Sequence, residues 1–117
     1  MPEPRAQLVA KLLGGVIFEV ETFLGEADVP AHFKEIGTVY LELSRRQQKR
    51  FIVDPLIVGS VNMPTMDVLE TRAKNISAFV GQRNWSRTLR ESHAFLNSLP
   101  GLPGSEPEQL PLPPDDD

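Results

Sequence analysis

Apolar residues return at three- and four-residue steps in four stretches of this chain, the pattern of helices that each bury one face. Between Arg5 and Leu24, the positions Val9, Leu12, Leu13, Val16, Val20, Phe23 and Leu24 cover one face. Gly14-Gly15 interrupts that pattern, at a cost of roughly 1 kcal/mol per glycine against alanine in a helix interior. The spacing still predicts a single helix, with the glycine pair as the place for a bend. A second helix is predicted from Asp28 as N-cap, with Pro30 in its first turn, and carries Phe33, Ile36, Tyr40, Leu43, Gln47 and Phe51 on one stripe.

The third stretch is the most regular. Asn62 or Thr65 is placed to cap it, Met66, Leu69, Ala73, Ile76 and Val80 form its stripe, and Gly81 is placed to end it. Asn84 then caps a fourth helix, stopped by Pro100-Gly101, with Trp85, Leu89, Ser92, His93, Leu96 and Leu99 on one side. Four amphipathic helices predict an all-α, four-helix, up-and-down bundle over residues 1–103. A rival pattern exists, because residues 16–23, 38–44 and 50–58 also read as strands. That reading gives an α+β chain, a three-stranded antiparallel sheet with helices on one face. Residues 51–64, broken by Asp54-Pro55, Gly59 and Pro64, are expected to be a buried connector.

Composition changes the picture only at the C-terminus. "PGLPGSEPEQLPLPPDDD" holds six of the eleven prolines and no aromatic residue, too little apolar surface to offset the entropy of ordering it. Residues 104–117 are therefore expected to be a disordered Pro-rich acidic tail. The chain contains no cysteine, so it can form neither a disulfide nor a thiolate metal site, and this suits a reducing, cytoplasmic compartment. Its apolar runs fall short of the roughly 20 residues that cross a bilayer, so no membrane span is expected.

The net charge of −4 conceals a segregation. Residues 1–43 hold three basic and seven acidic side chains, a net of −4; residues 44–99 hold nine and four, a net of +5; residues 100–117 hold five acids, a net of −5. On a helical wheel Arg45, Arg46, Lys49 and Arg50 share the outward side of the second helix. Arg83, Arg87 and Arg90 recur at i, i+4 and i+7 opposite the stripe of the fourth. If both ridges face one side, the seven make a basic binding face rich in arginine, whose planar fork suits phosphate and carboxylate. The acidic tail is then a competitor for that face.

Catalytic patterns are sparse. His32 and His93 stand alone, with no carboxylate or second histidine at i+3 or i+4 to make a metal site, and no phosphate-binding glycine loop is present. Neither metal nor small-molecule cofactor is indicated, and the chain is expected not to be an enzyme. The expectation is a non-enzymatic protein–protein interaction or assembly subunit, an adaptor or structural component, with a protein partner or self-association. The apolar residues off the main stripes, Phe18, Leu41 and Phe95, point the same way. The alternative is a nucleic-acid-binding small subunit using the arginine-rich face, although Tyr40 and Trp85 lie on apolar stripes and not where bases stack.

Overall fold

The computed structural model describes residues 4–54 and 63–99 and contains four helices: α1 Pro4–Gly25, α2 Ala31–Val53, α3 Met63–Gly81 and α4 Trp85–Asn97. Among the described residues there is no strand, so the all-α reading holds and the α+β alternative fails. Residues 16–23 and 38–44 are helical throughout, because their strand-like alternation lies inside a longer three-and-four period whose buried stripe supplies more packing. The expectations for Asn62, for the middle of the connector (55–62) and for the tail from residue 100 lie outside the described residues.

The helices form two hairpins laid side by side, with α1 against α2 and α3 against α4 within each, and α1 on α3 and α2 on α4 between them. Both turns lie at the same end, since Arg83 of the second turn pairs with Glu26 and Asp28 of the first. The same level is kept further along. Tyr40, nine residues into α2, meets His93, eight residues into α4, with ring centroids 6.0 Å apart. Consecutive directions thus alternate as the sequence predicted, while the extensive faces between the hairpins join like-directed helices.

The core takes the predicted stripes almost whole: Val9, Leu13, Val16, Val20 and Phe23 from α1, Phe33, Tyr40, Leu43 and Phe51 from α2, Met66, Leu69, Ile76 and Val80 from α3, and Trp85, Leu89, Phe95 and Leu96 from α4. Phe95 is fully buried, correcting the expectation that it lies off the stripe, and Leu41 is half-buried against the core. α1 continues through Gly14-Gly15 as one helix. Gly14 has a structural reason. Gln48 Nε2 donates to the Ala10 carbonyl at 3.0 Å, and a Cβ on Gly14 would sit 3.2 Å from that nitrogen. Gly15 has none, for a Cβ there would meet nothing within 4 Å.

Gly81 is the last residue of α3, as the sequence predicts, and helix ends depart from the sequence reading in two other details. Pro30, not Asp28, occupies the N-cap of α2, and it caps with no side-chain bond. The left-handed residue after α3 is Arg83, with φ of 57°, two positions beyond Gly81. A side chain in that region costs about 1–2 kcal/mol. Here the guanidinium gains Glu26 Oε1 at 3.1 Å and Asp28 Oδ2 at 3.7 Å, two carboxylates in the other hairpin's turn. At α4 the prediction holds, since the Asn84 side chain accepts from Arg87 N at 3.3 Å.

The tightest approach is at Gly37, where an added Cβ would lie 2.9 Å from Phe23 Cε1 and 3.1 Å from Leu24 Cδ2. Phe23 cannot yield, because its fully buried ring stands edge-on to Trp85 with centroids 5.3 Å apart at 84°. Gly37→Ala should therefore lose about 1–2 kcal/mol despite its better helix propensity, whereas Gly15→Ala should gain about 0.5–1 kcal/mol. Urea unfolding followed by circular dichroism checks both, and a loss for both variants would contradict this account.

Candidate binding surfaces

The seven predicted binding residues do not share one face. Since Tyr40 and His93 are level, Arg45, Arg46, Lys49 and Arg50 lie five to ten residues beyond that level, roughly 8–15 Å toward the far end. Arg87 and Arg90 lie three to six residues before it, roughly 5–9 Å toward the turns. That separation exceeds a Debye length of about 8 Å at physiological salt, so the two groups act as separate charges. The wheel could place each ridge outward on its own helix but could not register one helix against the other.

Several of these cations are already engaged. Arg45 donates to Glu21 of α1, Arg46 lies 3.9 Å from Glu42, one turn back on α2, and Lys49 is exposed. Arg50 is half-exposed in the last turn of α2. Arg83 belongs to the turn and not to the α4 ridge. Arg87 places its guanidinium carbon 5.8 Å from the centre of the Phe79 ring, and Arg90 is half-buried. Exposed ion pairs of this kind contribute about 0–1 kcal/mol each, so they orient side chains more than they stabilise the fold.

On the outer side of the second hairpin, two shallow grooves of about 350 and 320 Å3 adjoin and share Asn75 and Glu91. The first is walled by Asp67, Val68, Thr71 and Arg72, the second by Phe79, Arg87 and Arg90. Their central carboxylate is committed. Glu91 accepts from Arg72 Nη1 at 3.1 Å and from Asn75 Nδ2 at 3.0 Å, which ties α3 to α4 and leaves little of the carboxylate for proton transfer. The partners of Glu91 lie across the hairpin, so they emerge only once α3 is placed beside α4.

Two other features complete the map. The first hairpin is electrically polarised along its length. Residues 15–42, around its turn, carry Glu19, Glu21, Glu26, Asp28, Glu35 and Glu42 against Lys34, a net of −5. Residues 4–14 and 43–54, brought to the other end by the Gln48 bond to Ala10, carry Arg5, Lys11, Arg45, Arg46, Lys49 and Arg50 against Asp54, a net of +5. Midway along α1, Phe18 is 64% exposed, turned about 160–180° away from the buried Val16, Val20 and Val9. Val39, Val68, Ile52 and Val53 are also exposed, the last two beside the connector.

Among the described residues no group of three or more His, Asp or Glu side chains converges to hold a metal, and no helix is long and apolar enough to cross a membrane. Of the titratable core groups, Tyr40 is fully buried, and desolvation pushes its phenol well above its ordinary range. His93 is half-buried over Tyr40, and the same cause lowers its imidazole below the usual 6.5. Its Nδ1 lies 3.4 Å from Asn97 Nδ2, a contact in which a neutral ring accepts.

The unfolded chain takes up a proton at His93 near pH 6.5, where the folded chain resists it, so this group costs stability as pH falls through that value. Stability measured by denaturant between about pH 7.5 and 5.5 should fall less steeply in His93→Gln than in the wild type, above the range where carboxylates titrate. Equal slopes would show that His93 is no more desolvated than in the open chain.

No family model matches this chain, and neither a curated protein nor a solved structure matches it.

Proposed function

We propose that this chain is a non-enzymatic binding subunit, an adaptor or assembly component that docks a protein partner through the exposed face of its first hairpin. The observation that carries the reading is Phe18. A phenyl ring 64% exposed on the side of α1 opposite a fully formed core contributes little to the monomer's packing, whereas aromatic side chains dominate the energetics of protein interfaces. Ile52 and Val53 add exposed apolar surface at the end of α2. The absence of cysteine is compatible with work in a reducing compartment.

The division of the cations between two levels, with Arg45, Arg46 and Arg83 held by carboxylates, favours this reading over an arginine face for nucleic acid. Non-specific nucleic-acid binding gains its strength from many cations releasing counterions together.

Quantitative affinity enrichment from the native cell lysate, comparing the tagged full chain with its Phe18→Ser variant, tests the proposal. At least one protein, untagged copies of the chain included, should be enriched about tenfold by the wild type and lost with the variant, a difference of ~1.4 kcal/mol in binding. Identical profiles for the two proteins would remove the case for a Phe18-centred surface.

A further inference from the structure

We infer that the partner is a second copy of this chain, joined antiparallel through the outward face of α1, with Phe18 of each copy seated on the notch at Gly15 of the other. The inference rests on the binding reading above and deepens it by naming the occupant.

Three observations converge on this arrangement. The first is the shape of the face. Lys11, Gly15, Phe18 and Thr22 lie within roughly 60° of one another on the side of α1 away from the core, so a projecting ring and a stretch of bare backbone sit side by side on one surface. Glycine permits another backbone or ring to approach closely. The second is that Gly15 is unexplained by the monomer: it lies in mid-helix, where glycine weakens the helix, and nothing in the chain occupies the space its missing Cβ leaves. A phenyl ring from outside would occupy it. Thr22 adds little cost to burial, since its hydroxyl already donates to the Phe18 carbonyl at 3.0 Å.

Electrostatics supplies the third observation and chooses both partner and direction. A two-fold axis passing between residues 15 and 18 sets Phe18 over the partner's notch and Lys11 level with Thr22 of the other copy. It also lays the end of the first hairpin that carries +5 along the end of the other that carries −5, twice over by symmetry. A parallel pair would instead stack Phe18 on Phe18 and set like ends together. An isologous two-fold contact is the commonest way identical chains associate, and opposite potentials across it steer the encounter.

Sedimentation velocity on the full chain, from about 1 to about 200 µM and at about 50 mM salt, should show the mass doubling with concentration. Phe18→Ser, and separately Gly15→Leu, should each weaken association about tenfold or more. Both sites are exposed, so circular dichroism and the thermal midpoint of the dilute protein should not fall. Raising salt to about 500 mM should weaken association severalfold. Because the chain lacks cysteine, single-cysteine variants report direction. A short bis-maleimide should join Glu19→Cys chains, beside the axis and clear of the Gly15 notch at about 8 Å apart along the seam, but not Gly25→Cys chains, whose positions are about 26 Å apart along it.

A monomer at every concentration, a dimer indifferent to both substitutions, or cross-linking of both cysteine variants would each overturn the inference. The lysate enrichment separates the two levels. A monomer that still captures a different protein through Phe18 removes the second copy as occupant and leaves the binding reading standing, whereas a monomer that captures nothing removes both.

Discussion

Everything in this fold is organised by one contact, the edge of Phe23 against Trp85 at the turn end of the bundle. It is the place where the last turn of α1 meets the first turn of α4, one point on the boundary between hairpins that α1 on α3 and α2 on α4 otherwise form. Gly37 lets α2 come close to the same ring, where a Cβ would lie 2.9 Å from Phe23 Cε1. With the ring confined between a bare backbone and an indole, neither hairpin can slide without opening a cavity, and cavities in a close-packed core are costly. The levels of the remaining contacts follow, including Tyr40 opposite His93 on the faces that join α2 and α4.

The polar interactions lie outside that centre and lock what it has aligned. Arg83 spans the two turns, Glu91 holds α3 to α4, and Gln48 reaches the Ala10 carbonyl through the gap left at Gly14. Each is partly or wholly open to water, so its contribution is small and directional. The consequence for binding is that most of the charge is arranged along the molecule and not gathered on a patch. The first hairpin becomes a rod with an acidic end and a basic end, and α1 shows between them a ring that the core does not need.

That arrangement gives physical content to a chain in which no His, Asp or Glu cluster among the described residues converges to hold a metal. Its titratable core groups, Tyr40 and His93, are shifted by desolvation, and they face each other between α2 and α4, away from the surface grooves. The groove of the second hairpin has its carboxylate saturated by Arg72 and Asn75. Among the exposed groups, Phe18 and Gly15 stand out because an aromatic side chain and a bare backbone share one helix face, features that acquire a purpose when another surface covers them.

The sequence by itself determined the number and limits of the helices to within a few residues, and which side of each is buried. These properties are local: a stripe such as Val9, Leu13, Val16 and Val20 follows from the 3.6-residue turn, and Asn84 caps α4 with its own side chain. It also marked Phe18 as off the stripe, although Phe95, judged the same way, proved to be core because α4 is buried over a wider arc than one stripe. Only the tertiary structure decided how the helices register. The wheel set Arg45–Arg50 and Arg87–Arg90 outward, each on its own helix, but distance along the bundle is fixed by contacts between helices such as that of Phe23 with Trp85, residues 62 positions apart. Periodicity within a helix carries no information about where its neighbour stops. For that reason the basic face was legible as two ridges and not as the separated sites they are, and Arg83 could not be read as a left-handed turn residue held by two carboxylates of the other hairpin.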